Sequence, residues 1–80
     1  MNKRLHKLER IIRYEFNCFI TLYYPKDKAL MLLRHIANLL YCKVRYLYYI
    51  AEISLDEMNF MIKCNNSYYI YYAHIINSLY

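Results

Sequence analysis

Residues 27–53 read DKALMLLRHIANLLYCKVRYLYYIAEI. Within them Leu30, Leu33, Ala37, Leu40, Val44, Leu47 and Ala51 follow at steps of 3, 4, 3, 4, 3 and 4. A strand returns to one face every second residue; alternating threes and fours belong to a helix. The heptad holds for three repeats and leaves Arg34, His35, Asn38, Cys42, Arg45, Tyr49 and Glu52 on the opposite side. Tyr41 and Tyr48 widen the apolar stripe. The spacing predicts one long helix over 27–53. Its seam serves either a neighbouring helix or a homodimer.

Upstream, Leu5, Leu8, Ile12, Phe16, Phe19 and Tyr23 recur in the same rhythm, which predicts an amphipathic helix over 3–24. Lys3, Lys7, Arg10, Tyr14, Asn17 and Thr21 line its other face. Tyr24-Pro25-Lys26-Asp27 breaks the pattern, because proline disfavours helix at the residue before it. Asp27 is the expected N-cap of the second helix. Downstream, Ser54-Leu55-Asp56-Glu57 has the spacing of a capping box. It predicts a helix over 55–64 with Leu55, Met58, Met61 and Ile62 inward, although the heptad rhythm also continues through Leu55, Met58 and Ile62. Asn65-Asn66-Ser67 reads as a second break, since asparagine is the best substitute for glycine in a left-handed C-cap. A last helix over 68–79 then turns Tyr68, Tyr72, Ile75, Ile76 and Leu79 to one face, against the poor helix propensity of Tyr68 to Tyr72.

The fold expected is all-α: a small bundle built on a long antiparallel hairpin, 3–24 against 27–53, in a single domain over 1–80. The rival is α+β with a three-stranded sheet. Tyr14 to Leu22, Val44 to Ile50 and Met58 to Ile62 also alternate, and Asn65-Asn66 would be the hairpin turn. Helices are favoured because the helical pattern covers more positions and the chain has no glycine for tight turns.

The missing glycine also excludes function classes. A P-loop, a dinucleotide-binding fingerprint and a nucleophile elbow each need glycine at fixed places. Three cysteines with wide spacing form neither a C-x-x-C pair nor a disulfide framework. They are expected as buried small hydrophobes in a reducing cytoplasm. His6, His35 and His74 fall in three different elements and make no spaced ligand pair, so no metal or cofactor is expected. Glu9 with Arg13 is an i,i+4 pair, and Asp27, Ser54 and Glu57 are caps. No acid–base couple remains, and an enzyme is not expected. No signal-peptide core follows the basic start, and no run reaches the roughly 18–20 apolar residues of a membrane span. The chain is therefore expected to be soluble and intracellular.

Sixty per cent of the residues are apolar and twelve are tyrosine, more than a small monomer readily hides, and the net charge is +5. The richness in Tyr, Ile, Asn and Lys follows A/T-rich codons and suggests an A/T-rich bacterium, its phage, or another virus or mobile element. Lys3, Lys7 and Arg10 give one helix face three cations with Tyr14 behind. Arg45 and Tyr49 lie on the outer face of the second helix. These six are the candidate partner-binding residues, because exposed tyrosine and arginine make good interface anchors. Tyr24, Tyr46 and Tyr71 are expected outside the core too, and Tyr23, Tyr41, Tyr48, Tyr68 and Tyr72 at it. The function expected is stoichiometric binding and inhibition of a host protein, for example a defence nuclease complex blocked in the manner of an anti-CRISPR protein. The alternative is a basic nucleic-acid-binding module. Ile36, Ala37, Leu40, Val44, Leu47 and Ile50 resemble the apolar spacing of a helix-turn-helix, with Lys43, Arg45, Tyr46 and Tyr49 on a recognition helix.

Overall fold

The computed structural model describes residues 2–18 and 24–79. Three helices fill it: α1 (Lys3–Asn17), α2 (Lys26–Tyr49) and α3 (Leu55–Leu79). Among the described residues there is no strand, so the sheet alternative fails. Leu8, Ile12 and Phe16 of α1, Leu33, Leu40 and Val44 of α2, and Met61 and Ile76 of α3 are buried in one cluster, together with Ala29 and Ile53. Both predicted stripes therefore point inward within the helices, whereas Ala51, the last of the second, is exposed beyond the end of α2. Phe19 and Tyr23, the end of the first stripe, lie outside the described residues.

α1 begins on Asn2, whose side chain accepts the Leu5 amide at 2.8 Å, and ends at Asn17 rather than at 24, with Cys18 as C-cap. α2 starts on Pro25 with no side-chain cap. Asp27 sits inside the first turn, where its charge favours the helix dipole, but it is not the cap. The capping box is present in both directions. The Glu57 amide donates to Ser54 Oγ at 3.1 Å and the Ser54 amide donates to Glu57 Oε1 at 2.9 Å.

The predicted helix over 27–53 stops four residues early. Ile50 is the C-cap and Ala51 adopts φ 62°, the only non-glycine residue with positive φ among the described residues. The Ala51 amide donates to the Tyr48 carbonyl at 3.0 Å and the Glu52 amide to the Leu47 carbonyl at 2.9 Å. This is the paired closure that usually relies on glycine. It reverses the chain, so the heptad rhythm through Leu55 and Met58 does not mark a continuing helix.

A second correction concerns Asn65-Asn66-Ser67. α3 passes through them unbroken. Asn65 is 2% exposed, and its Nδ2 donates to the Ala37 carbonyl of α2 at 2.9 Å. A tertiary partner thus overrides the local turn preference. The weak helix formers beyond it are held in the same way. Tyr68 and Tyr72 stack on Phe16 of α1, with ring centroids at 5.6 and 5.9 Å.

The long antiparallel hairpin exists, but α2 and α3 form it. Ala37 meets Asn65 at mid-helix, and Leu30 shares a cleft with Ala73 nearer the other end. α1 lies along α3 in parallel, with Glu9 against Tyr68 and Asn17 against Tyr72. α1 and α2 touch each other least. The bundle measures 40 × 24 × 16 Å, long enough for the roughly 37 Å of a 25-residue helix. Arg4 closes one end. Its Nε pairs with Glu57 Oε2 at 2.9 Å and its Nη2 donates to the Glu52 carbonyl at 3.2 Å, which ties α1 to the turn between α2 and α3.

Candidate functional site

The six predicted residues are all exposed, and the structure divides them between two surfaces. Lys7, Arg10 and Tyr14 border one shallow groove of about 550 Å³ on α1, joined there by Arg13. Lys3 continues the same stripe one turn earlier. Neither carboxylate of α1 extends this stripe. Glu9 accepts a hydrogen bond from the Tyr68 hydroxyl on α3, and Glu15, which borders the groove, also lines a cleft with Ile36, Leu39 and Lys43 of α2. The outer side of α1 is left predominantly basic, with Glu15 at the groove's edge and Arg13 Nε 3.9 Å from Glu9 Oε1. The Cys18 side chain one turn on raises the Tyr14 phenol above its usual range.

Arg45 and Tyr49 belong elsewhere. α1 meets α2 beside Ile36, Leu39 and Lys43, whereas Arg34, Asn38 and Tyr41 line the cleft with α3. Arg45 follows Tyr41 by four residues and shares that second side. Its guanidinium stands over the Tyr41 ring at 5.6 Å and donates to the Tyr41 hydroxyl at 3.4 Å. Tyr49 beyond it is 86% exposed and Tyr46 60%. Tyr41 and Tyr48, expected at the core, are exposed as well, while Tyr24 is half-buried against the core. The tyrosine–arginine face of α2 is thus larger than the two residues predicted. The i,i+4 spacing of Tyr41 and Arg45 was the available signal for it.

The helix-turn-helix resemblance does not survive. Residues 36–49 are one uninterrupted helix, with no turn at Tyr41-Cys42. The heptad cannot serve a dimer seam either, because Leu33, Leu40 and Val44 are buried within the chain's own bundle. Of the cysteines, Cys18 and Cys42 are exposed rather than buried, and Cys64 is half-buried. Burial, with the Glu9 charge adding to it, pushes the Cys64 thiol up. Among the described residues no three His, Cys, Asp or Glu side chains gather as metal ligands. No described helix is long and apolar enough to cross a membrane.

Charge is distributed unevenly. α1 carries five cations against two carboxylates, α2 five against one, and residues 50–79 one against three. No protein-family model matches the chain, and neither a curated protein nor a solved structure is significantly similar to it.

Proposed function

We propose that this protein works by binding rather than by catalysis, and that its partner is another protein with an acidic surface, docked on the outer face of α2. The observation that carries this reading is the set of large side chains there that the bundle does not use. Tyr41, Tyr46, Tyr48 and Tyr49 are exposed beside Arg45, with Met31 and Leu39 exposed on the same helix. Tyrosine and arginine supply contact area and directed hydrogen bonds at modest entropic cost. Arg45 is already braced on Tyr41, which reduces what docking must immobilise. The excess of cations on α2 suits an acidic partner. In its full form the proposal is that of a small effector that occupies a host protein one to one and blocks it.

The test is affinity capture from host lysate with and without nuclease, followed by calorimetry on the purified pair. A nuclease-resistant one-to-one complex, lost in Arg45→Ala and Tyr49→Ala variants of unchanged circular dichroism, is the expected result. Binding untouched by both substitutions would refute it.

Nucleic acid is the second reading, favoured by the mainly basic face of Lys3, Lys7, Arg10 and Arg13. Changing Lys3, Lys7 and Arg10 to glutamate separates the two. Under this reading the triple variant loses binding, and wild-type affinity falls by about one power of salt concentration per contacted phosphate.

A further inference from the structure

Between α1 and the middle of α3 runs a groove of about 720 Å³, which adjoins the α1 groove at Asn17 and lies apart from the α2 face. Its wall is a rigid aromatic layer. The Tyr68 and Tyr72 rings stand one turn apart on α3 and lie within 23° and 8° of the plane of Phe16. Each ring is also fixed at its far end. Tyr68 donates its hydroxyl to Glu9, and Tyr72 donates to Asn17 Oδ1 at 2.8 Å. Tyr71 meets Tyr72 edge-on at 5.3 Å, and Phe60 lines the groove nearer the start of α3. Such a wall loses little freedom when a flat group settles on it.

The groove carries one charge. Lys63 is the single charged side chain that lines it, and it makes no ion pair among the described residues. It is also the only cation in residues 50–79. Ser67, one helical turn from Lys63, adds a hydroxyl on the same rim. No negative charge opposes the lysine within the groove. Burial, with help from the bond to Glu9, holds the Tyr68 phenol up to about 12, and the Cys64 thiol is raised as well. A cationic ligand, otherwise welcome on aromatic faces, would be repelled by Lys63.

We infer that this groove is a binding site for a small aromatic anion: a flat ring system laid against Tyr68, Tyr71 and Tyr72, with a carboxylate, sulfonate or phosphate reaching Lys63 and Ser67. The size suits such a ligand, since sites for small molecules span about 300–1,000 Å³ and pair an apolar wall with a few placed polar groups. The site stands apart from the α2 face and does not depend on the partner proposed there.

The probe for the test is 8-anilinonaphthalene-1-sulfonate, titrated by fluorescence into the full chain under conditions where circular dichroism and cooperative unfolding show it to be native. Saturable one-to-one binding is expected. Lys63→Glu, at an exposed and unpaired position, should weaken it about tenfold by turning attraction into repulsion. Tyr71→Ala should weaken it about fivefold through loss of ring contact. Tyr49→Ala, on the α2 face, should leave it unchanged. The uncharged N-phenyl-1-naphthylamine should bind more weakly than the sulfonate, and Lys63→Glu should not affect it. Absence of saturable binding to the native protein would overturn the inference. So would binding that survives both Lys63→Glu and Tyr71→Ala, or that Tyr49→Ala removes.

Discussion

Asn65 and Tyr68 show how single residues decide the packing of α3. The Asn65 amide is buried, yet among the described residues its Oδ1 has no hydrogen-bond partner while Nδ2 reaches the Ala37 carbonyl. An unsatisfied buried acceptor is unfavourable. Asn65→Leu should therefore raise the melting temperature, and Asn65→Asp should lower stability by several kcal/mol, about the size of the whole folding free energy of so small a domain. Thermal denaturation followed at 222 nm reads both. Tyr68 titrates above its unfolded value of about 10, and burial is the main cause. A raised pKa means that the neutral phenol is favoured by folding. Its contribution is complete below about pH 10 and is lost as pH rises through about 12. Stability should fall over that window. In Tyr68→Phe the fall should be smaller, with about 1 kcal/mol already lost at neutral pH for a bond to a carboxylate whose side chain is 17% exposed.

At the scale of elements, the turn between α2 and α3 carries the sharpest expectations. Ala51 holds a left-handed conformation that hinders any residue with a Cβ. Ala51→Gly should stabilise the protein by about 1 kcal/mol in urea unfolding, the relief of strain exceeding the added freedom of the unfolded chain. Next to it, the Ser54 amide chiefly, and Arg4 in addition, lower the Glu57 carboxyl below its usual range. A lowered pKa stabilises the fold above the unfolded value of about 4.3, and that contribution is lost as pH falls through the lower folded value. Glu57→Gln should flatten the acid side of the stability profile. This same turn shows what was legible in the chain and what was not. Ser54 and Glu57 could be read as a cap because their bonds span three residues. Ala51 could not be read as the left-handed residue that closes α2, because nothing in its chemistry favours positive φ and the surrounding contacts impose it. Asn65 was misread for the converse reason: its local chemistry says turn, and the carbonyl that satisfies it lies 28 residues away. The candidate site divides along the same line. The strip from Lys3 to Tyr14 follows from helical spacing alone. Its separation from Arg45 and Tyr49 depends on which side of α2 faces α1, and periodicity within one helix leaves that angle open.

The whole molecule depends on the heptad of α2 turning inward. Leu40 is buried at its centre. Leu40→Asp should abolish the cooperative thermal transition or send the protein into aggregates, since an unpaired buried carboxylate costs several kcal/mol against a stability of about the same size. A soluble, cooperatively folding variant would mean that the seam does not hold the bundle together. The uneven charge also acts at this scale. With ten of eleven cations on α1 and α2, the net charge of +5 should speed the approach of an acidic partner and make that approach salt-dependent.

The position of α3 between the other two helices has a consequence for how the protein is made. α1 and α2 share little surface, so without α3 the two cannot form a stable core. They must wait as an unpacked, tyrosine-rich segment until α3 follows and supplies Met61, Tyr68, Tyr72 and Ile76. The three helices therefore fold together once α3 is present, and until then the segment is open to proteases and chaperones.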